Sequence, residues 1–413
     1  MPPKISKVKR QGGPRDEARS ARNFSHSKAK KKGKLKGRLS AGSHIQTKNH
    51  SYVIQDVIGA GGFGEVYKVM ADEDEKKLFA IKIEFSDTGR GQDRLKLEMN
   101  IFNEVAEAKE SKKIHFLELF DRGHTDRFRF VVITLVGQSL EGLRKEVLRT
   151  DYSLPTVLQI ALQTLQSIWD LHDRGYLHRD IKPHNFAIGL GPTESTVYML
   201  DFGICRRYMD INNRMIKIPR IAVKFIGTLT FASRRAHREE DQGRADDLEQ
   251  WLYMIYDNLG WRHMRDQHKI YTMKLDFFSS PLLSSSVPSD FIRITHYIGG
   301  LKYSDEPDYP FIRKIINMTA DSKKIDLKTT PLDWVTPAEE KKEEQSEMEN
   351  KSTMSVMPQK EGASKEKKGS KGSKDESRTK DSSDPEGDKN TQSKGSPCEK
   401  VDIKRRQRGS RPS

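Results

Sequence analysis

The chain is 413 residues long, with 34% hydrophobic residues, 32% charged residues and a net charge of +15; it is too polar to be folded throughout and holds one large domain beside disordered segments. The charge is uneven: residues 1–48 carry about +13, residues 336–413 about +3, and the stretch between about −1. Its two cysteines, Cys205 and Cys398, exclude a disulfide framework and a structural zinc site. No apolar run approaches the roughly 18 residues of a membrane-spanning helix, the N-terminus has no secretory signal, and proline at position 2 excludes myristoylation.

Three segments are expected: a disordered basic tail over 1–49, a folded domain over 50–335, and a disordered Lys/Glu/Ser-rich tail over 336–413. The first tail holds a lysine-rich run from Lys28 to Lys36 and a lone aromatic, Phe24. It is either a solubilising tail or a contact for an anionic partner; without interleaved aromatics, base stacking is not expected. At Tyr52 the texture changes. Tyr52–Ile58 is β-rich and runs into a glycine cluster, and Val66–Val69 and Leu78–Ile83 read as the next strands. Residues 91–108 have helical spacing, with Leu95, Met99, Phe102 and Val105 on one face. Phe116–Phe120 and Phe128–Leu135 complete a lobe of five strands and one helix. After Gly137 the pattern is mostly helical. A 3.6-residue stripe runs from Leu154 through Leu158, Ala161, Leu165 and Ile168 to His172, with Pro155 in its first turn and Gly175 at its end. A second helix is predicted from Asp246 to about Tyr256, with Leu248, Trp251, Leu252 and Ile255 inward. Apolar density ends near Trp334.

Four motifs carry chemistry. Gly59, Gly61 and Gly64 fit the pattern G-x-G-x-x-G-x-V, in which glycines let the backbone approach phosphate oxygens. The pattern is weak alone, but a strand follows it rather than the helix of a dinucleotide fold. Lys82 lies in an apolar strand, where an unpaired charge is costly. ATP phosphates and a helix glutamate are its expected partners, with Glu98 the choice and Glu104 the alternative. The run His178-Arg179-Asp180-Ile181-Lys182-Pro183-His184-Asn185 is far more specific. There Asp180 is expected to orient a substrate hydroxyl and accept its proton, Lys182 to meet the γ-phosphate, and Asn185 to hold Mg²⁺. Asp201-Phe202-Gly203 follows an apolar strand at Val197–Leu200, and Asp201 is expected to bind Mg²⁺ bridging the phosphates. Lys182-Pro183 points to serine or threonine rather than tyrosine as the acceptor.

With these stretches in view, the chain resembles the casein kinase I superfamily of protein kinases, and its tau-tubulin kinase-like branch most of all. Gly227-Thr228-Leu229-Thr230-Phe231-Ala232-Ser233, Asp246-Asp247-Leu248-Glu249 and Leu332-Asp333-Trp334 extend the likeness over about residues 50–335. The resemblance implies an α+β bilobal fold, with a small β-rich lobe and a larger helical lobe, Mg-ATP as cofactor, and serine/threonine protein substrates. It implies that Thr228 bridges Asp180 and Lys182. It also implies that Val66, Ala80, Ile133, Leu135 and Ala187 line an adenine pocket, with Ile133 as gatekeeper. A monomer in the cytoplasm, the nucleus or both is expected.

Between Asp201 and Gly227 there is no serine or threonine and a single tyrosine, Tyr208. Arg179, which in many kinases pairs with an activation-loop phosphate, lacks such a partner, so activity without that phosphorylation is expected. Thr230 stands where the family has an anion-binding arginine. Arg206, Arg207, Arg214, Lys217, Arg220 and Lys224 nevertheless crowd the segment, and either select acidic or phosphorylated substrates or form a solvated loop. The step from the second helix to Trp261 is about four residues shorter than in the family. Cys205 is either a small packing residue or a redox-sensitive thiol. The rival readings are a pseudokinase, a scaffold working through its tails, and a small-molecule kinase.

Overall fold

The computed structural model describes residues 39–61, 64–86, 94–210, 212, 214–256, 259–280 and 288–335. The expectations for residues 1–38 and 336–413, and for Gly62 and Phe63 at the tip of the glycine cluster, lie outside these.

Period-two burial builds the first lobe. In β3 (Gly64–Ala71) the side chains of Glu65, Tyr67, Val69 and Ala71 are buried and those between them are not, as in a sheet with one packed face. With β1 (His44–Gln46), β2 (Ser51–Gly61), β4 (Asp74–Phe85), β5 (Leu119–His124) and β6 (Phe128–Thr134) it forms a six-stranded sheet in the order β1-β2-β3-β4-β6-β5. Every neighbouring pair is antiparallel. Two expectations need correction. A sixth strand, β1, lies in the segment assigned to the tail; Ile45 joins the sheet's core, and the Leu39 backbone N–H donates to the Tyr67 hydroxyl at 3.2 Å. One buried apolar residue in a three-residue strand left no period to read. The strand expected at Phe116–Phe120 instead begins at Leu119, because Phe116 and Leu117 turn into the core below the sheet.

Helix α1 (Arg94–Ala106) packs on β5 and β6 through Leu95, Ile101, Phe102 and Val105, with one carboxylate, Glu98, buried among them. The helical lobe is built on α3 (Leu154–Asp173), which follows the short α2 (Leu140–Gly142). Pro155 lies in the first turn of α3, and Gly175, at φ 80°, turns the chain beyond its end. The remaining helices are α4 (Arg234–His237), α5 (Arg244–Ile255), α6 (Gln267–Ser279), α7 (Phe291–Gly300) and α8 (Tyr309–Ser322). Every residue of α5 is buried, and α3 packs against α5 and α8. Beyond α5, Trp261 meets Tyr253 edge-on, with centroids 5.3 Å apart, and donates its indole N–H to the Thr230 carbonyl at 3.0 Å. The last described residues pack back onto the lobe. Asp333 accepts the Ser153 backbone N–H at 2.7 Å, and the Trp334 indole donates to the Glu194 carbonyl at 2.9 Å. No helix among the described residues is long and apolar enough to cross a membrane.

Two small ladders set the site. Strand β7 (Tyr176–Leu177) pairs with β10 (Arg206–Arg207), and β8 (Phe186–Ile188) pairs with β9 (Val197–Met199). The stretch 178–185 runs from β7 to β8, and 200–205 runs from β9 to β10, so the ladders hold the two motif segments beside each other.

Candidate active site

The loop 178–185 is held from below by α5. Asp247 accepts the backbone N–H groups of His178 and Arg179 at 2.7 and 2.8 Å, and the Gln250 side-chain oxygen accepts that of Ile181 at 2.9 Å. Asp247 is fully buried and also bonds the His172 ring at 2.9 Å. Burial alone would raise its pKa; His172 and the backbone donor outweigh this and keep it below the usual carboxylate value. Arg179 takes a left-handed φ of 69°, a conformation held by these bonds.

Above that support, Asp180, Lys182, Thr228 and Asn185 come together. The Thr228 hydroxyl donates to Asp180 Oδ1 at 2.7 Å and accepts from Lys182 Nζ at 2.8 Å, while Lys182 Nζ also lies 2.7 Å from Asp180 Oδ2. Asn185 Nδ2 donates to the Asp180 carbonyl at 2.8 Å and to Oδ2 at 3.2 Å. Asp201, just past β9, also has a left-handed φ, 61°. Its neighbour Phe202 is buried against Phe102 and Phe116, with centroids 5.6 and 5.9 Å apart, and so anchors the turn that presents Asp201.

Lys82, on β4, joins the two lobes. Its ammonium lies 2.8 Å from Glu98 Oε2 and 3.0 Å from Asp201 Oδ1. Burial would lower its pKa, but these two carboxylates raise it, so the lysine stays charged. The same ammonium opposes the burial of Asp201 and holds that carboxyl at about 2. Glu98 is therefore the partner, and it also accepts the Phe202 backbone N–H at 3.2 Å. Glu104, the alternative, bonds Arg207 and the Tyr176 hydroxyl.

The glycines of β2 and β3 differ in what they need. A Cβ on Gly64 would stand 1.9 Å from the Ile83 carbonyl oxygen, so its bareness is required by β4. A Cβ on Gly61 would meet nothing, which leaves space above the strand. Ala80 and Ile133 face each other across β4 and β6, Val66 pairs with Lys82, and Ala187 lies on β8. Ala80, Ile133 and Ala187 are buried, and Val66 and Leu135 are half-buried against the same core.

The activation segment gives most of its arginines to the protein itself. Arg206 and Arg220 both bond Asp241, with Arg220 donating its backbone N–H and its guanidinium at 2.9 Å each. Arg207 lies over the Tyr176 ring at 4.1 Å and bonds Glu104. Arg214 donates to the Asp173 carbonyl at 3.1 Å. Arg179 donates to the Ile204 carbonyl at 2.9 and 2.6 Å. Tyr208 is buried, its hydroxyl donating to the His172 carbonyl at 2.9 Å. Cys205 is buried, and desolvation raises its pKa well above the ordinary thiol value, which fits a packing residue rather than a reactive thiol.

Asp241 gives a pH-dependent prediction. Burial opposes ionisation, yet Arg220 and Arg206 hold its pKa at about 2 against the ordinary 3.8. A depressed folded-state value adds stability above the unfolded value and loses it as pH falls through the folded one. Asp241→Asn is expected to cost about 2 kcal/mol near neutral pH and to speed proteolysis within 206–224. Denaturant melts should show the gap from wild type shrinking below about pH 4 and closing toward pH 2.

The sequence reading gave no role to three side chains of this neighbourhood: Asp247, which it met only within a family motif, Gln250 and Lys274. Lys274, in α6, is fully buried and donates to the Leu229 and Ala232 carbonyls at 3.1 and 2.6 Å. It braces the backbone beside Thr228. For Asp247 and Gln250 the available signal was a polar residue among the inward positions Leu248, Trp251 and Leu252; Lys274 gave no such signal, because Leu275 and Asp276 beside it are exposed.

A β-rich lobe and a helical lobe, joined by Lys82 and presenting a braced aspartate beside a second carboxylate, define a protein kinase. The sequence profile of the protein kinase domain matches residues 52–248. A putative serine/threonine-protein kinase of Caenorhabditis elegans is 36% identical over 265 residues, covering 63% of this chain and 79% of the relative. The serine/threonine-protein kinase spe-6 of the same organism is 35% identical over 300 residues, 70% of this chain and 76% of the relative. A probable serine/threonine-protein kinase of Dictyostelium discoideum is 32% identical over 302 residues, 72% of this chain and 58% of the relative. The chain belongs to the serine/threonine protein kinases.

Proposed function

We propose that the chain transfers the γ-phosphate of Mg-ATP to serine or threonine in protein substrates, that it does so without phosphorylation of its activation segment, and that it falls in the tau-tubulin kinase-like branch of the casein kinase I superfamily. The observation that carries the reading is the triangle of Asp180, Lys182 and Thr228, with its three contacts of 2.7–2.8 Å. Two of these fix the carboxylate that would receive the proton of the acceptor hydroxyl. Lys182 is at hand for the charge that develops on the transferring group. Thr228 also keeps the loop that would carry the substrate in register with Asp180.

Among the described residues no group of three or more His, Cys, Asp or Glu side chains could hold a metal ion. The protein oxygens on offer are Asn185 and the half-exposed Asp201. That set suits Mg²⁺, which takes one or two protein ligands and completes its shell with phosphate and water; when bound, it neutralises phosphate charge.

Independence from phosphorylation is supported by Arg179 and Tyr208. The arginine that would await a phosphate already has backbone carbonyls, and the only tyrosine between Asp201 and Gly227 is buried. The branch is supported by Thr228 in its bridging position and by Ser233, which caps α4 by accepting the Ala236 N–H at 3.1 Å. Thr230 speaks against the family's anion subsite in this chain.

The test is transfer of labelled phosphate from Mg-ATP to casein by the full chain, with analysis of the modified amino acids. Phosphoserine or phosphothreonine is expected. Lys82→Met is expected to lower the rate by about a hundredfold or more. Pretreatment with a phosphatase is expected to leave the rate unchanged, and loss of activity on that treatment would overturn the phosphorylation-independent reading.

A further inference from the structure

The three most exposed large apolar side chains among the described residues all lie in one stretch of the activation segment: Met215 at 66%, Ile218 at 89% and Ile221 at 103% relative exposure. The next most exposed, Val147, reaches 55%. The backbone around them is held. Lys217 donates its N–H to the Tyr208 carbonyl at 2.8 Å and accepts the Tyr303 hydroxyl on its own carbonyl at 3.0 Å. Arg220 donates its N–H to Asp241 at 2.9 Å, and Met209 pairs with Ile216 in an isolated antiparallel bridge. The chain is thus tied down on both sides of Ile218 while that side chain stands in solvent. Apolar surface presented in this way marks an interaction site.

Charge and position say what it meets. Lys217 and Lys224 flank the two isoleucines, and neither lies within ion-pair distance of a described carboxylate. The neighbouring Arg206, Arg207 and Arg220, by contrast, are each held by one. The surface is therefore aliphatic with uncompensated positive charge. Six residues after Ile221 the chain reaches Gly227, whose Cβ would stand 2.9 Å from the Arg179 carbonyl. Ile221 therefore lies within about 20 Å of the catalytic loop, the span of six extended residues. A segment of the molecule being phosphorylated must come to that loop, so it is the occupant that position and charge together favour.

We propose that Ile218 and Ile221, with Lys217 and Lys224, form a docking surface for an aliphatic, acidic segment of the protein substrate. The surface reads side chains beside the acceptor residue and takes the place of an anion subsite. The proposal rests on the kinase reading above and names its substrate class.

The experiment uses the full chain and a positional-scanning library of short serine peptides. Wild type is expected to favour Ile, Leu, Val or Met at one or two positions and Asp or Glu beside them. Ile218→Ser combined with Ile221→Ser is expected to raise KM for such peptides by about tenfold to a hundredfold, the worth of burying one or two such side chains, with kcat unchanged. Peptides lacking the aliphatic residues are expected to be phosphorylated equally by both chains. Lys217→Ala with Lys224→Ala is expected to remove the acidic preference and keep the aliphatic one.

Binding of the same library to the Asp180→Asn chain separates docking from catalysis. Absence of transfer with docking intact would count against the kinase reading alone. Three results would overturn the proposal: no aliphatic preference in wild type, an unchanged preference in the isoleucine variant, or the isoleucines governing dimer formation or binding to phosphatidylserine vesicles and not peptide affinity.

Discussion

Asparagine in place of Asp180 is expected to lower phosphate transfer by about 10²–10⁴-fold while leaving the fold intact. The substitution keeps the size and planarity of the side chain, and its single amide oxygen can still accept from one of Thr228 and Lys182, which donate to different oxygens of the carboxylate. What it removes is the group able to take the proton of the acceptor hydroxyl, together with the negative charge beside Lys182. Single-turnover transfer of labelled phosphate measures the effect, and nucleotide affinity should change little, because Lys82, Glu98 and Asp201 are untouched. A Thr228→Val chain sharpens the result. It keeps the carboxylate but loses the hydroxyl that holds it, so a smaller loss is expected, about tenfold, roughly the worth of one hydrogen bond. An Asp180→Asn chain as fast as wild type would remove Asp180 from the chemistry.

The parts of the site that could be read in the sequence are those where a local rule forces a partner. A lysine in an apolar strand needs an anion, and helical period puts Glu98 on the face of Leu95 and Phe102, so the pair at 2.8 Å was within reach. Glu104 falls off that face and finds Arg207 instead. Phe202 and the strands around the loop follow from ordinary alternation. Where partners lie far apart in the chain, no such rule operates. The crowd of arginines in the activation segment could be read as an anion site or as a solvated loop, whereas Asp241 and Glu104, distant in sequence, take Arg206, Arg220 and Arg207. The strand at Ile45 was hidden for a different reason: its burial comes from the sheet it joins and not from its own pattern. The bridge at Thr228 came from family likeness alone, since nothing near it in the chain calls for a hydroxyl.

Asp247 is the largest omission, and its substitution is expected to have the largest effect on stability. Its carboxylate is fully buried and takes donors from His178, Arg179 and His172. Alanine would strand two backbone N–H groups and a ring nitrogen in a buried site, at a cost of about 3–5 kcal/mol. That is a large share of the roughly 5–15 kcal/mol by which such domains are stable, and it should lower the melting temperature by about 10 °C. Asparagine keeps one acceptor oxygen and should cost about half as much. The carboxyl's depressed pKa sets the pH window. Its contribution is present above the ordinary value of 3.8 and is lost as pH falls below it, so wild type and Asp247→Asn should converge in acid. Activity separates support of the loop from support of the fold. Well below the melting point, Asp247→Asn should still show reduced kcat, because the backbone from His178 to Ile181 aims Asp180, while KM for ATP, set by Lys82 and the strands above, should hold. A chain with alanine at 247 that melts like wild type would mean that the loop is held from elsewhere, and that α5 is packing rather than the anvil under Asp180.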